Sequence, residues 1–242
     1  MARARAYTRT RSHRTHALLL QRIEYGESDV IVQLFTEQLG RISALARAAR
    51  NSRRRFGGSL EPIHTLFVSL DEREHHALLA LREASIVTVR DQLASSLERL
   101  SAAGKALGWV RAATPEHTAE PAVWKGLTHL LDRLQTQQIP LLLAGTAEFG
   151  LQLIRALGFG IDFERCVRCG GHCGPKQAVT VDPVRGGLVC RPCGGARIHL
   201  DSVTRARLLR VARGESDLLS ESDAAAAMDL VEQGLQAHAG VS

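Results

Sequence analysis

Five cysteines fall between residues 166 and 193, and four of them form two Cys-x-x-Cys pairs, Cys166 with Cys169 and Cys190 with Cys193. Twenty residues separate the pairs. Two thiolates three positions apart can grip one ion, and two such pairs supply the tetrahedral four-sulfur set that structural zinc takes. Gly170 and Gly171 follow the first pair and Gly194 and Gly195 the second, where a backbone turning toward a metal needs freedom. His172 and Cys173 are further candidates, and Cys173 could stand in for Cys169. A redox dithiol is the rival chemistry, but no thioredoxin-like βαβ pattern surrounds either pair. A catalytic zinc fits less well. There is no His-Glu-x-x-His, no His is followed two positions on by Glu, and four cysteines leave no open position for water. The expectation is one structural zinc ion in a reducing compartment.

A second cluster is built from arginine. Residues 40–62 read GRISALARAARNSRRRFGGSLEP and hold Arg41, Arg47, Arg50, Arg53, Arg54 and Arg55, with no acid before Glu61. Guanidinium is always charged and meets phosphate through paired hydrogen bonds. So many beside a Gly-Gly turn predict a surface for a polyanion, with Arg14 from the preceding segment as a further contact. A solvated loop that only keeps the chain soluble is the plainer alternative. The first sixty residues carry 12 arginines and 4 acids, a surplus of +8, whereas the remainder holds 19 basic and 21 acidic residues. The positive field is therefore confined to the N-terminal part. Aromatic residues make up 4% of the chain, which argues against a site built wholly from base-stacking rings.

Other chemistries are missing. Gly104-Lys105 lacks the upstream glycine of a phosphate loop, and Gly158 and Gly160 have no third glycine at 163. No Ser-His-Asp or paired-carboxylate arrangement stands out. Glu27 and Asp29 fit a turn, and His75 and His76 fit an exposed strand start. No run of eighteen apolar residues predicts a membrane span, and no signal peptide is expected, although the Arg-rich, acid-poor start also has the composition of a transit peptide.

The elements that must position these residues follow from periodicity. Residues 1–15 hold Arg3, Arg5, Arg9, Arg11 and Arg14 among small and polar neighbours and predict a disordered basic arm. Short β-rich runs at 16–23, 29–36, 41–48, 63–70 and 76–89, broken by turn residues, predict a small closed five-stranded barrel of the OB type over 16–89. Leucines at helical spacing predict helices over 91–113, 122–137 and from Pro140 to Leu157, with Trp109, Trp124 and Phe149 in their core. Segments 201–214, with Asp201 or Ser202 as cap, and 220–240 predict two more. The chain thus reads as α+β: the barrel, a helical domain from 90–161 and 200–242, and a zinc-binding insertion at 162–199.

Taken together, YGESDVIVQLFTEQLGRISALARAARNSRRRFGGSLEP near the N-terminus, then ALGFGIDFERCVRCGG and CRPC, resemble the bacterial RecO family of DNA repair proteins, in order and from about residue 16 onward. The resemblance implies an OB barrel, a helical domain and a zinc element. It also implies a non-enzymatic recombination mediator of the RecF pathway that binds single- and double-stranded DNA and anneals complementary strands. Its partners would be RecR, single-stranded-DNA-binding protein and, indirectly, RecA. The Arg-rich start is longer than the family's usual one, and some relatives lack the full cysteine set. The alternative is a zinc-ribbon protein that binds RNA or the ribosome, since charge does not separate RNA from DNA.

Overall fold

The computed structural model describes residues 10–73, 78–215 and 219–240. Residues 1–9 of the basic arm, together with His75 and His76, lie outside them. The chain forms two compact units, one of residues 1–90 and 114–124 and one of 91–113 and 125–242.

The first unit is a closed barrel of strands β1 (Thr10–Tyr25), β2 (Asp29–Thr36), β3 (Gly40–Ala46), β4 (Thr65–Arg73) and β5 (Leu79–Thr88), in the order β1-β2-β3-β5-β4. Strict alternation along β3 puts Ile42, Ala44 and Ala46 inside, where they meet Leu19, Val32, Leu34, Leu66, Val68 and Leu81. The β3–β5 contact is parallel and only three pairs long, Ala44↔Leu79 to Ala46↔Leu81.

The barrel starts six residues earlier than the sequence predicts. Residues 10–15, expected in the disordered arm, pair with β4 from Thr10↔Arg73 onward. Apolar content was a poor guide here because this end of the ladder is held by backbone bonds and outward polar contacts, such as Ser12 Oγ to Asp71 at 2.7 Å. The long β1 serves two neighbours. Its first half pairs with β4 and its second with β2, with a bulge between Leu19 and Gln21 at the changeover.

The basic loop is also more ordered than its composition suggests. Ser52 caps a single helical turn, α1 (Arg53–Phe56), which Gly57 ends in the left-handed region. Phe56, 2% exposed, is buried with the barrel core and pins the turn. The segment 114–120, within the stretch 114–121 that the sequence predicts as a break between helices, lies along the start of β3. His117 N–H donates to the Arg41 carbonyl at 2.9 Å. Gly40 has φ +68, and a Cβ there would fall 1.8 Å from the Thr118 carbonyl oxygen, so no side chain fits.

The second unit packs helices α2 (Leu97–Ala113), α3 (Pro121–Thr136, belonging here from Lys125), α4 (Leu142–Ala156), α5 (Ser202–Ala212) and α6 (Glu221–Ala239). Between α4 and α5 lie strands β6 (Asp162–Cys166), β7 (Val179–Asp182), β8 (Gly187–Val189) and β9 (Ile198–Leu200), in the order β6-β8-β7-β9. Among the described residues the segment Ile139–Ala156 is long and apolar enough to cross a membrane by composition. Its α4 part is the central helix of this unit, packed by α2, α5 and α6, and its buried Glu148 pairs with Arg133 at 3.1 Å. Trp109 and Phe149 lie in this core as expected, whereas Trp124 is half-buried against Phe35 in the first unit.

Asp223 locks α5 to α6. It accepts from Ser220 Oγ at 2.6 Å, Ser220 N–H at 3.0 Å, Thr204 Oγ1 at 2.7 Å and Arg207 Nη1 at 2.7 Å. Burial pushes its pKa up, but these donors outweigh it and hold it at about 2. A carboxyl depressed in the fold stabilises above its unfolded pKa of about 3.9 and loses that contribution as pH falls toward its folded value. Asp223→Asn is therefore expected to cost on the order of 2 kcal/mol at pH 7. The deficit should shrink between about pH 4 and pH 2. Urea unfolding of both proteins across that range checks it, and a pH-independent deficit would refute it.

Candidate nucleic-acid interface and metal centre

Three of the seven predicted phosphate-binding arginines converge. Arg14 on β1 and Arg54 and Arg55 on α1 line one groove of about 630 Å³, whose wall is the outer surface of β4 and β5 with Phe67, Ser69, Glu83 and Ser85. α1 presents its arginines on a pinned turn. Arg55 is fixed by Nε to Ser52 Oγ at 3.2 Å and Nη2 to the Arg47 carbonyl at 2.8 Å, with its guanidinium 5.2 Å from the Phe56 ring. Arg14, Arg47 and Arg54 are exposed, and their guanidiniums make no hydrogen bond or ion pair among the described residues.

The other predicted arginines sit differently. Arg41 is half-buried, with Nε donating to the Thr114 carbonyl at 2.9 Å and Nη1 paired to Glu116 at 3.0 Å. It ties the 114–124 segment to the barrel. Arg50 reaches the Glu27 carbonyl at 3.3 Å and lies 3.7 Å from Glu24. The Arg53 side chain lies outside the described ones. Phe67 was missed as a groove residue; its only sequence signal is an aromatic at an alternating position of a barrel strand.

The four cysteines form the second site. β6 and β8 are parallel neighbours, so Cys166 at the end of one and Cys190 just after the other leave the sheet at the same edge. The turn after β6 brings Cys169 round, and a 3-10 turn at Arg191–Cys193 returns Cys193. All four Sγ atoms lie within 4.8 Å of one another. Gly170 and Gly194 take φ +71 and +91. Gly171 matters for space instead, since a Cβ there would lie 3.3 Å from Cys169 Sγ. Cys173 and His172 are not among the four. Cys173 is buried, and burial pushes its thiol pKa up.

The four thiols act strongly on one another. Backbone N–H groups of Cys190 and Cys169 lower the Cys166 thiol to about 6. Hydrogen bonds with Cys190 and Cys169 push Cys193 up to about 12. One thiolate is easily formed, and further ones repel it. A dication coordinating all four removes that conflict. The donor set and its spacing suit one metal ion.

Sequence reasoning also missed Arg205. From α5 it runs into the cysteine segment, 4% exposed, and donates to the carbonyls of Phe163 (2.8 Å), Cys173 (2.7 Å) and Gly174 (2.7 Å).

A closed OB-type barrel with an arginine groove, joined to a helical unit that carries a four-cysteine centre, defines the class of α+β protein to which this chain conforms. Comparison with known families names it. The family model "Recombination protein O N terminal" matches residues 11–90 and "Recombination protein O C terminal" matches residues 94–242. The chain belongs to the RecO family of DNA repair and recombination proteins. It is 36% identical to the DNA repair protein RecO of Pelobacter propionicus over 230 residues, 93% of this chain and 90% of that one. It is 32% identical to RecO of Geobacter metallireducens over 94% of this chain and 92% of the relative. RecO of Anaeromyxobacter sp. strain Fw109-5 is 36% identical over 74% of this chain and 69% of its own length.

Proposed function

We propose that this protein is a non-enzymatic, cytoplasmic recombination mediator of the RecF pathway. It binds single- and double-stranded DNA, anneals complementary strands and, with RecR, helps load RecA onto DNA coated by single-stranded-DNA-binding protein. The observation that supports this best is the convergence of Arg14, Arg54 and Arg55 on one groove of the barrel. Guanidiniums from two separate elements meet there, and two of them have no partner among the described residues. Phosphates neutralise them without reading sequence. Two strands bound to neutralising surfaces repel one another less, so complementary bases meet more often. Zinc is the ion proposed for Cys166, Cys169, Cys190 and Cys193, where four thiolates favour it and close its shell. Its role is to hold the second unit together.

The test is annealing of two complementary oligonucleotides, bare and coated with single-stranded-DNA-binding protein, across a salt series. Accelerated pairing that fades with salt and persists on coated strands is expected. The triple variant Arg14→Ala, Arg54→Ala, Arg55→Ala should flatten the log K against log salt slope on single strands by about 2, at roughly 0.7 for each phosphate no longer neutralised. An unchanged slope removes this groove from the DNA site.

A further inference from the structure

The groove holds a feature that phosphate binding does not need. Phe67 stands on the outer face of β4, 39% exposed, in the same groove as Arg14, Arg54 and Arg55. Its cross-strand neighbours are His16 on β1 and Ser85 on β5. The His16 ring meets it edge-on, with centroids 5.5 Å apart and planes at 62°. His16 is itself held by Glu37, whose carboxylate lies 3.0 Å from Nδ1. The ring is thus propped from one side, while a serine on the other leaves room beside it. Large aromatic surface left open beside three cations contributes little to the barrel core, and a planar partner would cover it.

We propose that Phe67 is a stacking platform for an unpaired base, which makes this groove a single-strand subsite. The proposal rests on the reading of the groove as a DNA site and adds the form of DNA it takes. In a duplex both faces of each base are covered by its neighbours in the stack. A ring fixed to a barrel wall reaches a base face only where the strand is unpaired, or after unstacking that costs a few kcal/mol per step. Stacking occupies the face of the base and leaves its pairing edge open. A strand held by its phosphates on Arg14, Arg54 and Arg55 and by one base on Phe67 therefore still offers hydrogen-bonding edges to a complement. On pairing, that base must leave Phe67 to join the new stack, so the platform releases the product duplex.

The experiment uses the full chain and three fluorescent probes of equal length: oligo-dT, a duplex, and an abasic strand with the same phosphates and no bases. Phe67→Ala should weaken oligo-dT binding by about tenfold, within the range of a lost base–aromatic stack. Duplex and abasic affinities should stay within about twofold of the parent, because phosphate contacts are unchanged. Phe67→Tyr should restore oligo-dT binding. Phe67→Trp should show indole quenching by oligo-dT that neither the duplex nor the abasic strand produces, relative to the parent signal from Trp109 and Trp124. Equal losses on all three probes, no loss on oligo-dT, or quenching by the abasic strand would overturn the platform. If Phe67→Ala fails to fold, the tryptophan quenching decides. A failure of the DNA reading itself looks different: Arg14→Ala and Arg54→Ala would leave binding to every probe unchanged.

Discussion

Removing the metal, by a strong chelator or by Cys190→Ser, is expected to unfold the β6–β9 segment and to take much of the second unit's stability with it. The segment from 162 to 200 has four short strands of three to five residues. The buried side chains they contribute are few, chiefly Phe163, Val179, Val181, Leu188, Val189 and Leu200. So small an apolar core cannot by itself offset the conformational entropy lost on ordering the segment. Four thiolates on one ion add a metal-binding free energy that is coupled to folding. Circular dichroism, a thermal melt and limited proteolysis, each with and without chelator, would follow the loss, with released metal measured colorimetrically. The groove lies in the other compact unit, so oligonucleotide binding should outlast the loss of stability. Metal released with no change in melting or cleavage would refute a structural role.

Arg205→Met is expected to be the most damaging single substitution outside the cysteines, costing roughly 3–5 kcal/mol. Methionine keeps an apolar stem but removes the guanidinium donors to the carbonyls of Phe163, Cys173 and Gly174, of which Gly174 still accepts from the Gln177 N–H at 3.1 Å. Hydrogen bonds to a charged group contribute about 1.5–3 kcal/mol each, and buried acceptors left empty add to the loss. Lysine has three donors on one nitrogen and cannot span the three carbonyls as the guanidinium fork does. Arg205→Lys should therefore recover only part. Arg210 is the control: its exposed pair with Glu215 is screened by water, so cutting Arg210 to alanine should cost far less than Arg205→Met. Urea denaturation of the three variants would rank them. An Arg205→Met cost no greater than the Arg210→Ala cost would mean the carbonyls find other donors.

The two damaging sites differ in how well the sequence announces them. Cys-x-x-Cys is legible because the ligands are the signal: residue type and spacing state both the chemistry and the geometry. β2 was legible for a related reason, since the β-branched and aromatic residues along 29–36 end at turn residues on both sides, and the strand has those limits. The cap of α5 was equally plain, with Asp201 accepting from the N–H groups of Val203 and Thr204. Arg205 gave no signal. It looks like one more arginine on a helix, and its partners are backbone carbonyls 31 to 42 residues away, which no side-chain pattern marks. Arg41 misleads in the same manner. Its sequence neighbours are basic, but its real neighbours are Thr114 and Glu116, brought to it by a segment that reads only as a break. The groove was half legible: arginine density pointed to the region, and only the barrel's closure shows that Arg14 joins Arg54 and Arg55 while Arg41 turns away.

The long first strand also sets an order of events during synthesis. Its leading half finds its partner only in β4, with Thr10 opposite Arg73. At about 5–20 residues per second, several seconds pass between the ribosome's adding one and adding the other. Until then residues 10–16 are an unpaired edge next to a strand rich in apolar residues, the kind of template on which nascent chains join one another. Arg11 and Arg14 lie in that stretch. Like charges on neighbouring chains repel, so Arg11 and Arg14 disfavour pairing of this edge with its counterpart on another unfinished chain.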